Sequence, residues 1–164
     1  EEDSVVGVAD ILSVQPDSPV EGPEGEETPE PEGAPKVQQQ DGDVTGFNWD
    51  GVGAKPGELQ VITLIEGDGP AIEAQRLVQF NYFGEVFKGK KPFDESYTAA
   101  PITFAVGANS LIDAWDEGLI GIKEGSRVMI ITPPDKAYGA QGSPPSIPAD
   151  ATLVFVLDVL DVDG

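Results

Sequence analysis

The aromatic residues of this 164-residue chain are concentrated after residue 57, where ten of its twelve Phe, Trp and Tyr residues lie. Aromatic side chains supply much of the buried area of a protein core. Residues 58–164 are also long enough for one ordinary domain. We therefore expect a single folded domain over residues 58–164, preceded by a part of different character.

Residues 15–42 have the composition of a solvated linker. They contain eight acids, one Lys, six Pro and no aromatic residue. Such a segment has too little apolar surface to offset the entropy lost on ordering. Charge repulsion and Pro stiffness keep chains of this kind extended. The sequence predicts a long disordered acidic segment here, followed by an extended lead-in over residues 43–57.

Residues 1–14 are more apolar and have the pattern of a strand. With a constant offset, Val6 aligns with Val154, Val8 with Val156 and Asp10 with Asp158. One interpretation is an internal repeat, in which residues 1–14 are the end of a preceding copy of the same domain. Chance similarity between two apolar strands is the alternative.

The charge and the missing residue types exclude several functions. The net charge is −21, from 9 basic and 30 acidic residues, and such a surface repels nucleic acids and anionic lipids. We therefore expect no nucleic-acid partner and no membrane contact. The absence of Cys and His removes thiol nucleophiles, disulfides and a Ser-His-Asp triad. No phosphate-binding glycine motif occurs, and we expect neither a cofactor nor a metal ion.

Strand patterns dominate residues 58–164, with apolar or alternating runs at residues 59–66, 76–87, 101–106, 126–132 and 151–160. A helix is predicted only at residues 109–119, with Ser110 and Asp113 as a capping pair and Gly118 as the left-handed stop. Two helical turns are stable only against a sheet. The sequence therefore predicts an α+β fold, in which a curved antiparallel half-barrel sheet wraps around one short helix.

Few residues offer chemistry. Asp113 and Asp116 lie three residues apart on the predicted helix, and we expect both on a solvated face away from Trp115. The other candidates are aromatic, and from the residues alone the simplest interpretation is that all of them are core. They are Tyr82, Phe93, Phe104, Trp115, Tyr138 and Phe155.

Several short segments of residues 58–162 form a recognisable series: FD at 93–94, VGANSLIDAWDEGL at 106–119, AYGA at 137–140, IP at 147–148 and ATLVF at 151–155. These motifs, in order and near the family's spacing, resemble the FKBP family of peptidyl-prolyl isomerases. The resemblance implies a curved antiparallel sheet around a short helix, and rotamase activity on X–Pro bonds through a dry aromatic pocket that binds the twisted amide. This chemistry needs neither acid nor base.

The resemblance also implies a proline pocket. Trp115 would form its floor, the Tyr138 hydroxyl would donate to a ligand carbonyl, and Ile147 would lie in a loop over the pocket. The Ile112 N–H, expected in the first helical turn, could hold a substrate carbonyl. The implied lining comprises Tyr82, Phe93, Phe104, Leu111, Ile112, Trp115, Tyr138 and Phe155.

The sequence departs from the family pattern at the rim. Asp94 matches the family's pocket carboxylate, but residues 95–100, ESYTAA, lack the Arg that usually follows it. Ile102 stands where an aromatic residue is common, and Ser143 stands where His is frequent. These departures make an FKBP-like binding or chaperone module, with little or no turnover, the alternative to an active isomerase.

The implied partners are proline-containing peptides and unfolded protein clients, with FKBP-directed macrolides as inhibitors. The acidic segment is similar to that of exported or cell-surface members from high-GC Gram-positive bacteria. We therefore expect an exported, extracellular or cell-surface protein, with a cytoplasmic protein as the alternative. The sequence contains no signal-peptide pattern, so an export signal is expected to lie outside it.

Overall fold

The computed structural model describes residues 22–29, 31–109 and 111–162. The possible repeat at residues 1–14, residues 15–21 of the predicted linker and the predicted cap at Ser110 lie outside the described residues. The elements in chain order are β1 (Glu26–Glu27), β2 (Lys36–Gln40), β3 (Asp43–Asn48), β4 (Gln60–Glu66), β5 (Arg76–Val86), β6 (Pro92–Glu95), β7 (Ile102–Val106), α1 (Asp113–Gly118), β8 (Arg127–Thr132), a 3₁₀ turn (Pro134–Lys136) and β9 (Leu153–Val162).

The main sheet is antiparallel throughout the described residues. Its strand order is β1-β4-β8-β9-β5-β6, and β7 pairs with the first half of β5. The central pair is β9 with β5, in which Phe155 lies opposite Gly84. The predicted fold, an antiparallel sheet around one short helix, is confirmed. All five predicted strands are present within two residues of their predicted bounds, and β1 and β6 are additions to them in this sheet.

One face of the sheet packs against α1, and we call it the helix face. The alternate residues Leu153, Phe155 and Leu157 of β9 point to it, and from α1 Ala114 and Trp115 pack against them. Successive side chains of a strand lie on opposite faces, so this pattern leaves Val154 and Val156 on the other side.

The other face is covered by the β2–β3 hairpin, and we call it the hairpin face. Val44 and Phe47 of β3 pack there against Phe83, Met129 and Val156, all of them buried. Asp41 and Gly42 form the turn with positive φ angles of 55° and 92°, as a tight two-residue hairpin requires. The hairpin therefore buries a second apolar layer that α1 cannot reach.

A buried ion pair lies under the hairpin. Arg127 of β8 contacts Asp158 of β9 through two hydrogen bonds, Nε to Oδ1 at 2.6 Å and Nη2 to Oδ2 at 2.8 Å. The hairpin supplies two more acceptors for the guanidinium of Arg127, the side-chain oxygen of Gln39 and the carbonyl of Gly42. The Tyr97 hydroxyl donates to Asp158 at 2.7 Å. Arg127 and Asp158 are only 2% and 1% exposed, so this network replaces water for both charges.

The structure corrects the predicted disorder of residues 15–42 for the part that it describes. Glu26 and Glu27 pair with β4, and Lys36–Gln40 pair with β3, which begins in the predicted lead-in. Backbone pairing needs no aromatic residue in the paired strand. The apolar residues that hold the hairpin to the sheet, Val44 and Phe47, lie just after residues 15–42. The domain boundary at residue 58 therefore cuts through packed structure.

The helix is shorter than the predicted span of 109–119. It covers Asp113–Gly118, and Ile112 is its N-cap with an extended ψ of 153°. Gly118 is not the left-handed stop, because the helix ends in a right-handed Leu119 and the positive φ comes at Gly121. The described helices include none long and apolar enough to cross a bilayer.

Candidate functional site

Trp115 forms the floor of a cavity on the helix face. Its indole makes edge-to-face contacts with Phe80, Tyr82 and Phe155, at centroid distances of 5.2, 5.5 and 5.1 Å. Each of these rings comes from a central strand, β5 or β9, while Trp115 comes from α1. Aromatic pairs in this geometry add stability beyond the area they bury. The floor is therefore fixed from both the helix and the sheet.

The cavity above Trp115 has a volume of about 570 Å³. That volume is in the range of small-molecule and peptide side-chain sites. Nine of the ten predicted site residues line it: Tyr82, Phe93, Asp94, Phe104, Leu111, Ile112, Trp115, Tyr138 and Phe155. The structure adds Ile102, Asp113 and Ala137 to the wall.

Ile147 is the one predicted site residue that the structure does not place in the wall. Its side chain is 4% exposed and belongs to the core of the helix face. Its backbone exchanges two hydrogen bonds with Ser143, which closes the 143–147 turn. An apolar side chain in a loop beside the core gains more by burial than by exposure over a pocket. Ile147 therefore anchors the loop from within.

Tyr82 and Asp94 form the polar part of the wall. The Tyr82 hydroxyl donates to Asp94 Oδ2 at 2.5 Å, and the Glu95 N–H donates to Asp94 Oδ1 at 3.0 Å. Burial, and next the Asp94 carboxylate, raise the pKa of Tyr82 above its ordinary range, so the phenol stays a donor. Among the described residues, no salt bridge includes Asp94. Tyr82 therefore orients the carboxylate where the family's arginine is missing.

Ser96 holds this part of the wall in place. The sequence did not predict a role for it. Its hydroxyl accepts from the Tyr82 N–H at 2.9 Å, and its own N–H donates to the Tyr82 carbonyl at 2.9 Å. These two bonds fasten the loop after Asp94 to β5. Nothing in the ESYTAA run marks Ser96 for this role, because its partner is distant in sequence.

Two residues that line the cavity each have a donor without a partner among the described residues. The Ile112 N–H precedes the first intrahelical bond, while the Ile112 carbonyl accepts from the Trp115 and Asp116 N–H groups. The Tyr138 hydroxyl belongs to a side chain that is 41% exposed. Burial, and next the charge of Asp94, raise the pKa of Tyr138, so it also stays protonated at neutral pH.

Of the two helix acids predicted on a solvated surface, Asp113 is exposed and Asp116 is not. Asp113 is exposed, but it lines the cavity. Asp116 accepts from the Gly107 N–H at 2.7 Å and is partly buried. This bond ties the start of the 107–112 segment to α1, so Asp116 helps to set the position of Leu111 and Ile112 in the wall.

We expect Gly84→Ala to close part of the cavity. A Cβ at Gly84 would lie 2.7 Å from Phe93 Cζ and 2.8 Å from Phe155 Cε1, so one ring has to move. Overpacking of this kind costs about 1–3 kcal/mol of unfolding free energy. Urea denaturation measures the loss, and Gly53→Ala, where a Cβ has open space, is the matched control. Equal stability of the two variants would contradict this account of Gly84.

Known proteins are similar to this chain over the part that contains the cavity. A sequence model described as FKBP-type peptidyl-prolyl cis-trans isomerase matches residues 69–160, more than half of the chain. An FK506-binding protein of Streptomyces anulatus is 37% identical over 112 residues, which cover 67% of this chain and 90% of that protein. The 46 kDa FK506-binding nuclear protein of Spodoptera frugiperda is 38% identical over 65% of this chain.

The relatives differ in length. The chain spans 26% of the Spodoptera frugiperda protein and 34% of the isomerase FkpA of Escherichia coli, with which it is 41% identical over 58% of its own length. The crystal structure of AtFKBP13 superposes with a TM-score of 0.59 at 28% identity, covering 64% of this chain and 93% of that one. The chain belongs to the FKBP-type peptidyl-prolyl cis-trans isomerase family.

Proposed function

We propose that this chain accelerates cis–trans rotation about X–Pro bonds in peptides and unfolded protein clients. The observation that carries the proposal is the cavity itself, with an aromatic floor at Trp115 and walls from Tyr82, Phe93 and Phe155. A proline ring is apolar and compact enough to enter such a site. The family membership supports the same activity.

The geometry fits the energetics of amide rotation. Resonance gives the planar amide its barrier of about 18–20 kcal/mol, and the planar form is more polar than the twisted one. A cavity that excludes water therefore favours the twisted amide over the planar one. Each tenfold acceleration needs only about 1.4 kcal/mol of such preference. No proton transfer to a side chain is required.

The two free donors at the opening would hold the substrate while it rotates. The Ile112 N–H and the Tyr138 hydroxyl both lack partners among the described residues, and each suits a peptide carbonyl on one side of the proline. A carbonyl that is fixed on one side of the bond lets the other side turn against it. Asp94, oriented by Tyr82, would contribute a fixed negative charge beside the rotating amide.

An FKBP-like binding module with little turnover remains the second candidate. It is favoured by one observation, the lack of a cationic partner for Asp94 among the described salt bridges. Such a carboxylate would have to be desolvated by substrate without compensation from an arginine. Binding would then depend on the apolar floor and on the Ile112 and Tyr138 donors.

Exchange spectroscopy by NMR on short X–Pro peptides, with X as Leu, Ala or Glu, separates the two candidates. We expect faster cis–trans exchange with the protein present, and inhibition by FK506, the macrolide after which several relatives are named. Tyr138→Phe should lower kcat/KM about two- to tenfold, the value of one hydrogen bond. Phe93→Ala should lower it further, because it opens the wall to water.

Phe87→Ala is the matched control for Phe93→Ala. Phe87 packs against Trp49 on the hairpin side and does not line the cavity, so its loss should leave exchange unchanged. Peptide binding without exchange, in a chain with a folded NMR spectrum, would support the binding module. Neither binding nor exchange would overturn both candidates.

The compartment and the clients stay predictions. The relatives include proteins named as nuclear as well as bacterial ones, so family membership does not select a compartment. The acidic segment ahead of the domain supports an exported or cell-surface protein. Proline-containing peptides are the partner class that the cavity favours.

A further inference from the structure

We propose that residues 88–91, which we call the lysine loop, bind a carboxylate of the client beside the proline pocket and so select clients with an acidic side chain near the proline. The inference rests on the proposed function in one respect, since it takes a proline-containing peptide as the ligand. The binding group is ammonium, and the ligand chemistry is an Asp or Glu side chain.

A second cavity lies against the lysine loop and shares a wall residue with the proline pocket. It has a volume of about 500 Å³ and is bordered by Lys90, Lys91, Phe93, Pro145 and Ser146. Phe93 is a wall of both this cavity and the proline pocket. Lys91 and Phe93 are two residues apart, so their Cα atoms are separated by at most about 7 Å. A peptide with its proline on Trp115 therefore reaches the lysines within a few residues.

Among the described residues, positive charge is concentrated in the lysine loop without a carboxylate partner, and the Lys88 ammonium lies 5.8 Å from the centroid of the Phe87 ring. Lys88, Lys90 and Lys91 are three of nine basic residues and occupy four consecutive positions with Gly89. All three are exposed, and none forms a salt bridge with a carboxylate of the described residues. By contrast Arg76, Lys123, Arg127 and Lys136 are each paired with an acid.

The net charge does not cancel this local effect. Exposed charges more than about 8–10 Å apart are largely screened at physiological salt, so a ligand in the second cavity responds mainly to the lysines at its border. The proline pocket itself carries Asp94 and Asp113. The two cavities therefore differ in the sign of their charges, and a client carboxylate is accommodated only on the lysine side of Phe93.

A simpler role for these lysines is protection of an exposed strand edge, since β6 lies at the end of the sheet. The two roles predict different results. Edge lysines act against strand pairing between molecules and are indifferent to the sequence of a peptide in the pocket. Carboxylate-binding lysines change the ratio of turnover between peptides that differ by one charge.

The test compares a Leu–Pro host peptide carrying Glu or Gln at one of four positions, two or three residues before or after the proline. NMR exchange gives kcat/KM with the full chain at low and high salt. At one position at least, we expect Glu to be preferred over Gln by about threefold at low salt, the value of an exposed ion pair or two. The preference should disappear in Lys90→Gln/Lys91→Gln, and should disappear at high salt.

The double variant Lys55→Gln/Lys123→Gln is the control for net charge. It also removes two positive charges, but neither residue lines either cavity, so the preference for Glu should stay. Reversal of the charge in Lys90→Glu/Lys91→Glu should turn the preference toward a Lys peptide at the same position. These two results together would separate a local subsite from general attraction.

A ratio of one at all four positions would overturn the inference, and so would an equal loss of preference in the control variant. Failure of the proposed function would look different, since the Gln peptide itself would then show no acceleration. In that case the same Glu-to-Gln ratio is measured as a ratio of peptide dissociation constants from NMR titration. A ratio of one there would overturn the inference independently of turnover.

Discussion

Replacing Asp158 by alanine should lower the free energy of unfolding by about 3–5 kcal/mol, the cost of leaving a buried charge without its partner. Arg127 would keep two acceptors, from Gln39 and Gly42, but would lose both hydrogen bonds to the carboxylate. The arginine is largely shielded from water, since it is 2% exposed. Guanidinium denaturation followed by circular dichroism measures the loss.

The control for this variant is the paired apolar replacement Arg127→Met/Asp158→Leu. Buried ion pairs are often replaced by packed apolar residues at little cost, because desolvation consumes most of their attraction. We therefore expect the double variant to be clearly more stable than Asp158→Ala alone. A loss below about 1 kcal/mol for Asp158→Ala would show that water reaches Arg127, and would contradict the buried network.

Phe47→Ala should cost about 3–5 kcal/mol, the usual loss for a buried phenylalanine. Phe47 is 7% exposed and meets Phe83 edge-to-face at a centroid distance of 5.7 Å. Its loss would leave a void between the hairpin and the sheet. The same denaturation experiment on Phe104→Ala is the matched control, because Phe104 is 40% exposed and its removal should cost clearly less.

Removing the N-terminal part altogether tests the same interface more severely. A chain that starts at residue 58 would expose Met129, Ile131 and Val156 and would remove the hairpin's two bonds to Arg127. We expect this shortened chain to unfold at much lower denaturant, or to aggregate. Equal stability of the shortened and full chains would show that the hairpin only rests on the domain.

The hairpin was the largest feature that the sequence did not reveal, although a signal for it was present. Within the predicted strands, residues 128–131 and 153–157 are apolar at every position instead of alternating. A strand of that kind is buried on both faces, so something besides the single helix had to cover the sheet. Of the covering strands, β2 is Gln-rich and lies in the segment whose composition favours disorder, and β3 lies in the predicted extended lead-in. Their position depends on pairing and packing with distant residues.

The residues proposed for the site follow from residue types in a fixed order, and their role in binding stays a prediction. The aromatic residues and Asp94 recur at the spacings of the family, and the structure brings nine of the ten predicted residues to one cavity. Ile147 differs because an apolar residue in a loop is equally compatible with a wall and with the core. The helix start differs because the 107–112 segment is held by a bond between Gly107 and Asp116.

The sequence alone determined five of the strands, the helix location, the family and the aromatic floor, because these follow from local periodicity and from motifs at the family's spacing. Only the tertiary structure decided what covers the hairpin face, what pairs with Arg127 and Asp158, and how Asp94 is oriented without an arginine. Each of these depends on contacts between residues far apart in the chain: Gln39 lies 88 positions from Arg127, and Tyr97 lies 61 from Asp158. Whether a charge or an apolar face is buried therefore depends on residues that come into contact only in the folded chain.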